Sequence, residues 1–166
     1  MEESFIDKLE QEINKNFQYV EYLPVYSLKA ACGKFGHGQE VQKEGWIKVD
    51  IKKPLDEDMF VIRAVGHSME PKIKDGDFCV FKVMTGGPYT GSGRVFLFQY
   101  QGAPDPETRG SYTIKGYRSH KGPDGFNTHV DLTPINKDYP ILTFRKEEDD
   151  ISSQLTFIAE FVEVLL

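Results

Sequence analysis

Ser68 stands in the run Gly66-His67-Ser68-Met69-Glu70-Pro71, between two apolar stretches. A serine hydroxyl is a weak nucleophile and needs a base beside it. The chain has four histidines, His37, His67, His120 and His129. His67 is next to Ser68, and on an extended backbone neighbouring side chains point apart. The other three stand in glycine-rich or loop contexts. None is oriented by an Asp or Glu in a recognisable order, although such triads are set by space and not by sequence. Lysine is the other candidate base. Lys115 lies in Tyr112-Thr113-Ile114-Lys115-Gly116-Tyr117, an apolar run in which alternate side chains share a face. In a dry place the ammonium is disfavoured and its pKa falls by about 3 units or more. A neutral amine within hydrogen-bond reach of Ser68 takes its proton. On spacing alone, a lysine on the solvent face of an edge strand is the commoner case.

These residues need a rigid frame. From Trp46 onward the chain reads as strands: Trp46 to Ile51, Met59 to Val65, Asp77 to Val83, Arg94 to Gln101, Ser111 to Arg118, Asn127 to Leu132, Ile141 to Phe144 and Leu155 to Leu166. Gly/Pro-rich turns separate them, at Lys53-Pro54, Thr85-Gly86-Gly87-Pro88, Gly102-Ala103-Pro104 and Gly122-Pro123-Asp124-Gly125. Many short strands with such punctuation predict a mostly β, antiparallel domain. Ser68 falls in the break between two of these strands. The break turns at Pro71 and at Asp75-Gly76-Asp77. A turn held between strands displays a nucleophile rigidly.

The earlier residues differ in character. Phe5, Leu9, Ile13, Phe17 and Val20 recur at about helical spacing, which predicts an amphipathic helix over 4–20 with Ser4 as N-cap. Such a helix either packs on the domain or ends a connector from an upstream domain. Leu23-Pro24-Val25-Tyr26-Ser27-Leu28 is apolar but broken by proline, and Ala30-Ala31-Cys32-Gly33 is small throughout. Gly33, Gly36 and Gly38 extend that pattern. The composition predicts an exposed segment that can be drawn extended into a narrow cleft. Two regions follow: 1–39, helix and mobile segment, and 40–166, the β domain.

The 166 residues suit one domain with a sizeable core. A mean hydropathy of -0.45 and the lack of a long apolar stretch predict a soluble chain with no transmembrane helix. Glu2, Glu3 and Asp7 argue against a signal peptide. The formal net charge is -6 and no basic footprint is visible, so direct nucleic-acid binding is not expected. Two cysteines, Cys32 and Cys79, make no disulfide framework and fit a reduced cytoplasmic setting. The acidic run Glu147-Glu148-Asp149-Asp150 reads as a solvated loop. No cofactor and no metal site are expected.

Gly66-His67-Ser68-Met69, then Asp75-Gly76-Asp77 and a strand, resembles the LexA-type self-cleaving serine peptidases, which include LexA, phage repressors and the UmuD proteins. Thr113-Ile114-Lys115 is similar to the family's Thr-Val-Lys site. Leu132-Thr133-Pro134-Ile135-Asn136, with Tyr139 and Ile141, resembles a further family segment, and Phe157 to Leu166 its closing strand. The resemblance spans residues 23–166. It implies a compact antiparallel β-ribbon or barrel-like fold and autoproteolysis through a Ser68–Lys115 dyad. The oxyanion would be held by backbone N–H groups of Ser68 and Met69. The family cuts at Ala-Gly or Cys-Gly, so the resemblance implies Cys32-Gly33 as the scissile bond. Read without it, Cys32 is an inert buried thiol, as Cys79 is. The resemblance further implies a homodimer through the C-terminal strand. It also implies a RecA–single-stranded-DNA filament as activator and a role in an SOS or phage-type response to DNA damage.

The sequence also departs from that pattern. Ser68-Met69-Glu70-Pro71 also resembles the Ser-Met-x-Pro of type I signal peptidases, which share Ser-Lys chemistry but are membrane-anchored. The Ser68-to-Lys115 stretch is longer than in compact members, with Gly86 to Gly93 and Gly102 to Gly110 as inserted loops. No helix-turn-helix domain precedes the β domain, as in the shorter UmuD-like layout or a fragment of a larger protein. The competing reading is a dimerising sensor module whose peptidase is dormant or lost.

Overall fold

The computed structural model describes residues 8–84, 93–125, 127–145 and 154–165, with the side chain of Asn127 left aside. Among the described residues, nine strands form one mixed sheet. They are β1 (Tyr22–Ser27), β2 (Gly45–Lys48), β3 (Met59–Arg63), β4 (Phe78–Val83), β5 (Val95–Tyr100), β6 (Tyr112–Lys121), β7 (Asn127–Thr133), β8 (Leu142–Arg145) and β9 (Leu155–Val164). The order across the sheet is β2-β1-β3-β4-β9-β5-β6-β7-β8. All pairings are antiparallel except β1 with β3. The mostly β class and all eight predicted strands are present, with ends shifted by a few residues. No helix of the described residues is long and apolar enough to cross a membrane.

The apolar runs are continuous because several strands are buried on both faces. On β3, Phe60 and Ile62 enter one core cluster while Met59 and Val61 enter a second. On β5, Val95 and Leu97 join the first, whereas Phe96, Phe98 and Tyr100 join a third. The third cluster is aromatic. Phe157 meets Phe96 edge-on at 5.1 Å and Tyr117 at 5.0 Å between ring centroids, each such pair adding about 0.5–1.5 kcal/mol beyond area burial.

β9 carries the sheet from one half to the other. It pairs with β4 on one side and β5 on the other, so both its backbone edges are taken within the chain. Its register shifts once against each neighbour, opposite Val80/Phe81 and opposite Leu97/Phe98. Each shift leaves one extra residue on β9, Val162 and Ile158 respectively. Such bulges bend a strand and sharpen its twist.

The N-terminal region departs from expectation in two places. No helix spans the described residues 8–20; Ser4 and the helix start lie outside the described residues. The backbone groups a helix would use are committed elsewhere. Glu10 exchanges both hydrogen bonds with Trp46, at 2.8 and 2.7 Å, and the Phe17 carbonyl accepts from Val20, Glu21 and Tyr22. Tyr19 sits at φ 61°, and Phe17 and Val20 are exposed rather than stacked on a buried face. In addition, the proline-broken run is a strand, β1, inside the sheet. Pro24 faces Trp46 in register, but Trp46 spends its N–H and carbonyl on Glu10. The pair is therefore a non-hydrogen-bonded one that asks no N–H of proline. On the other side the ladder with β3 begins only at Val25.

Candidate active site

β3 ends at Arg63 and β4 begins at Phe78, and the turn between them is tied from within. Ala64 N–H donates to the Asp77 carbonyl and Gly76 N–H to the Ala64 carbonyl, both at 2.8 Å. The Asp75 carboxylate accepts from Gly66 N–H and the Asp77 carboxylate from Lys74 N–H, again at 2.8 Å. Gly66 at φ 95° and Gly76 at φ 86° occupy backbone space that side-chain-bearing residues rarely adopt. The Asp75-Gly76-Asp77 motif thus has a mechanical reason: two carboxylates satisfy turn N–H groups around a left-handed glycine. Met69 and Ile73 drop into the first core cluster and anchor the far side.

A second strap comes from the segment after β7. Ile135 and Asn136 N–H both donate to the Ser68 carbonyl, at 3.0 and 2.9 Å. The Asn136 amide donates to the His67 carbonyl at 3.2 Å. The Leu132–Asn136 segment therefore clamps the turn that carries Ser68.

Lys115 reaches this turn from β6. Its Nζ lies 2.8 Å from Ser68 Oγ, 2.6 Å from Thr113 Oγ1 and 3.3 Å from the Ile114 carbonyl. Ser68, Thr113 and Lys115 are the buried polar residues among those described, the lysine at 4% exposure. Burial pushes the Lys115 pKa below its ordinary value, while Asp105 and Glu107 pull it back up more weakly. The edge-strand alternative is set aside, because β6 lies between β5 and β7 and the lysine is covered.

Ser68 and Lys115 open onto a cleft of about 190 Å³, walled by Tyr100, Pro104, Pro106 and Tyr139. One wall is the loop 102–110, read from sequence as an insertion. Its backbone is pinned by Asp105, whose carboxylate accepts from Glu107 and Thr108 N–H. Glu107 then leans over the turn and accepts from His67 N–H at 2.7 Å. Its carboxylate also fills the space beside Gly66, 2.6 Å from where a Cβ would stand. Among the described residues no acceptor is bonded to the N–H of Ser68 or Met69. The other loop read as an insertion, Gly86 to Gly93, falls outside the described residues except for Gly93.

Cys32 and Gly33 are not where sequence composition put them. Leu28–Ala31 forms a helical turn, α1, continued by a wider π-helical turn over Cys32–Gly36. Ser27 caps it by accepting from Ala30 N–H at 3.1 Å. Cys32 is 2% exposed and packs in the first core cluster with Met69 and Ile114, and Gly33 is buried. Burial pushes the Cys32 thiol up to about 12. The expected exposed, mobile segment is thus a packed helical one. Small residues made this possible, since they let α1 approach β1 and β3 closely. Neither Cys32 nor Gly33 lines the cleft of Ser68 and Lys115.

The histidines lie apart from Lys115. His67 is exposed and pairs with Glu70, which raises its pKa. His37 contacts Gln99. His120 and His129 sit on β6 and β7 rather than in loops. Thr113, Asp105 and Glu107 were not foreseen as site residues. Thr113 had a readable signal, standing two residues before Lys115 on the same strand face. Glu107 had none, being 40 residues from the N–H it holds.

A family model described as Peptidase S24-like matches residues 24–161. Among curated proteins, none matches the chain.

Proposed function

Because the chain belongs to the S24-like peptidase family, we propose that it is a serine peptidase that cuts its own chain between Cys32 and Gly33. In this reading Ser68 is the nucleophile and Lys115 the general base. The observation that carries it is the buried 2.8 Å contact between Lys115 Nζ and Ser68 Oγ. A lysine in that place is short of water, which lowers its pKa from the ordinary value.

The step balances as follows. Lys115 takes the Ser68 hydroxyl proton as Oγ bonds to the Cys32 carbonyl carbon. The carbonyl oxygen becomes an oxyanion, held by the N–H groups of Ser68 and Met69. The Cys32–Gly33 bond breaks and Lys115 gives its proton to the leaving Gly33 nitrogen. A water, deprotonated by Lys115, then opens the Cys32 ester. A new carboxyl at Cys32 and a restored Ser68 remain.

The helical burial of Cys32 and Gly33 adds an earlier step. A peptide bond inside a helical turn does not present its carbonyl to a serine in a separate cleft. The segment must unwind and enter extended, so opening precedes chemistry. An activator that binds the opened state would speed the reaction by the fraction it shifts. A RecA–DNA filament in an SOS or phage-type response, and a homodimer, belong to this same reading.

Intact-mass spectrometry after incubation at neutral and alkaline pH tests it. A Ser68-dependent pair of fragments, 1–32 and 33–166, is the expected result. Cleavage that persists in both Ser68→Ala and Lys115→Ala would sink the dyad. Cleavage at another bond would keep the dyad and remove Cys32–Gly33 as its target.

A further inference from the structure

Well along β6 from Lys115, the sheet brings two imidazoles and a carboxylate together. His120 on β6 stands in register with His129 on β7. Their rings stack with centroids 4.1 Å apart and planes 12° from parallel. Asp131 follows two residues after His129, on the same face of β7. Its Oδ2 accepts from His120 Nε2 at 2.9 Å. One ligand atom from each residue lies within 4.8 Å of the others, and all three residues are partly buried. Among the described residues this is the one such group.

We propose that His120, His129 and Asp131 bind a first-row transition cation of the zinc class, leaving at least one coordination position for water. Two imidazole nitrogens and one carboxylate oxygen suit Zn²⁺, Cu²⁺, Ni²⁺, Co²⁺ or Fe²⁺, whereas Mg²⁺ and Ca²⁺ want oxygen donors. The neighbouring charges are positive and do not themselves attract a cation. Arg118 is in register with Asp131 and Arg145 with His129, both exposed. This face has no surplus of negative charge to attract a hard cation, so selection rests on the imidazoles.

The supports that orient metal ligands are already in place. Thr143 on β8 donates through Oγ1 to Asp131 Oδ1 at 2.7 Å, fixing the carboxylate and leaving Oδ2 toward the histidines. Thr128 Oγ1 lies 3.0 Å from His129 Nδ1, which leaves Nε2 of that ring for a cation. Hydrogen bonds of this kind set ligand orientation and basicity. Zinc–nitrogen and zinc–oxygen bonds are about 2.0–2.2 Å long. The proposal requires the two rings to tilt out of their parallel stack so that donors now within 4.8 Å of one another meet on one ion, with His120 Nε2 exchanging its bond to Asp131 for the metal and its proton moving to Nδ1. The β6–β7 register shifts between His120 and Lys121, directly beside the pair. A bulge there re-aims side chains without moving the rest of the ladder.

The test is titration calorimetry of the tag-free, chelator-stripped chain with ZnCl₂, together with Co²⁺ absorption in the visible range. The expected result is one equivalent bound at micromolar affinity or tighter, reversed by EDTA, with a raised melting temperature. His129→Gln and Asp131→Asn should each abolish that tight binding. Thr143→Val, which keeps all three ligands, should weaken it about 10–100-fold. His37→Ala should leave it unchanged. Circular dichroism shows which variants fold, and Thr143→Val decides if the ligand variants do not. No saturable binding by the folded chain would overturn the proposal. So would full affinity in His129→Gln and Thr143→Val, or loss of binding in His37→Ala.

Discussion

Among the described residues Lys115 Nζ touches three oxygens, and Ser68 Oγ is the one that lies off β6, in the turn between β3 and β4. A neutral amine has two N–H groups and one lone pair. In the neutral state that the proposed mechanism requires, Thr113 Oγ1 and the Ile114 carbonyl take the two N–H groups and the lone pair is left for the Ser68 hydroxyl. In the proposed mechanism Thr113 is therefore a positioning residue. Thr113→Val should slow self-cleavage roughly fivefold to tenfold, the worth of about one hydrogen bond, and Ser68→Ala should abolish it. The rate of fragment appearance measures both. An unchanged rate in Thr113→Val would remove the positioning role.

The pH dependence follows from the lowered Lys115 pKa. In the proposed mechanism the neutral amine is the active form, so the rate should rise with pH up to the folded pKa and level off above it. Asp105 and Glu107 raise that pKa, so Glu107→Gln and Asp105→Asn should each move the rising limb to lower pH. A limb that stays in place or moves upward would count against their influence.

The same shift bears on stability. The unfolded lysine keeps its proton up to its ordinary value near 10.5, whereas the folded one loses it earlier. Between the two the unfolded chain binds more protons, so stability should increase as pH rises through that window. Lys115→Met should remove this increment. Denaturant unfolding at stepped alkaline pH reads it, and equal pH slopes in the two proteins would contradict it.

Opening of the α1 turn should be tunable from its cap. Ser27→Ala removes the side-chain oxygen that accepts from Ala30 N–H, a loss of about 1 kcal/mol. If unwinding precedes chemistry, cleavage should quicken by up to roughly fivefold, while Ser68 and Lys115 stay as they are. A slower reaction would argue that the helical form itself is attacked.

The strap after β7 gives a contrasting variant. Asn136→Ala keeps the backbone bonds to Ser68 but loses the amide bond to the His67 carbonyl. Cleavage should fall several-fold with a stability loss of only about 0.5–1.5 kcal/mol. Melting and cleavage measured together separate this from general destabilisation.

Much of the sheet was legible because strand signals are local. Met59–Arg63 and Val95–Tyr100 announce themselves by apolar runs bounded by turn residues. The Asp75-Gly76-Asp77 turn was legible for the same reason. What was not legible depended on distant partners. Residues 8–20 carry a helical apolar spacing, yet Glu10 is drawn into extended pairing by Trp46, far along the chain. The run Ala30 to Gly33 looked too small to be held, yet small size is what lets it pack under β1 and β3. Burial of Lys115 could not be read from its own strand, because the residues that cover it come from loops on either side. His120 and His129 become a pair only through the β6–β7 register.

β9 is the last strand in sequence and the middle strand in space. Before it is added, the half that carries Ser68 and the half that carries Lys115 share no backbone ladder. Until β9 emerges from the ribosome, the serine and the lysine belong to two sets of strands that no ladder joins, held to each other by the 135–136 strap and by Glu107. In the proposed mechanism the order of synthesis acts as a delay: the sheet that backs Ser68 and Lys115 is complete only once β9 has emerged.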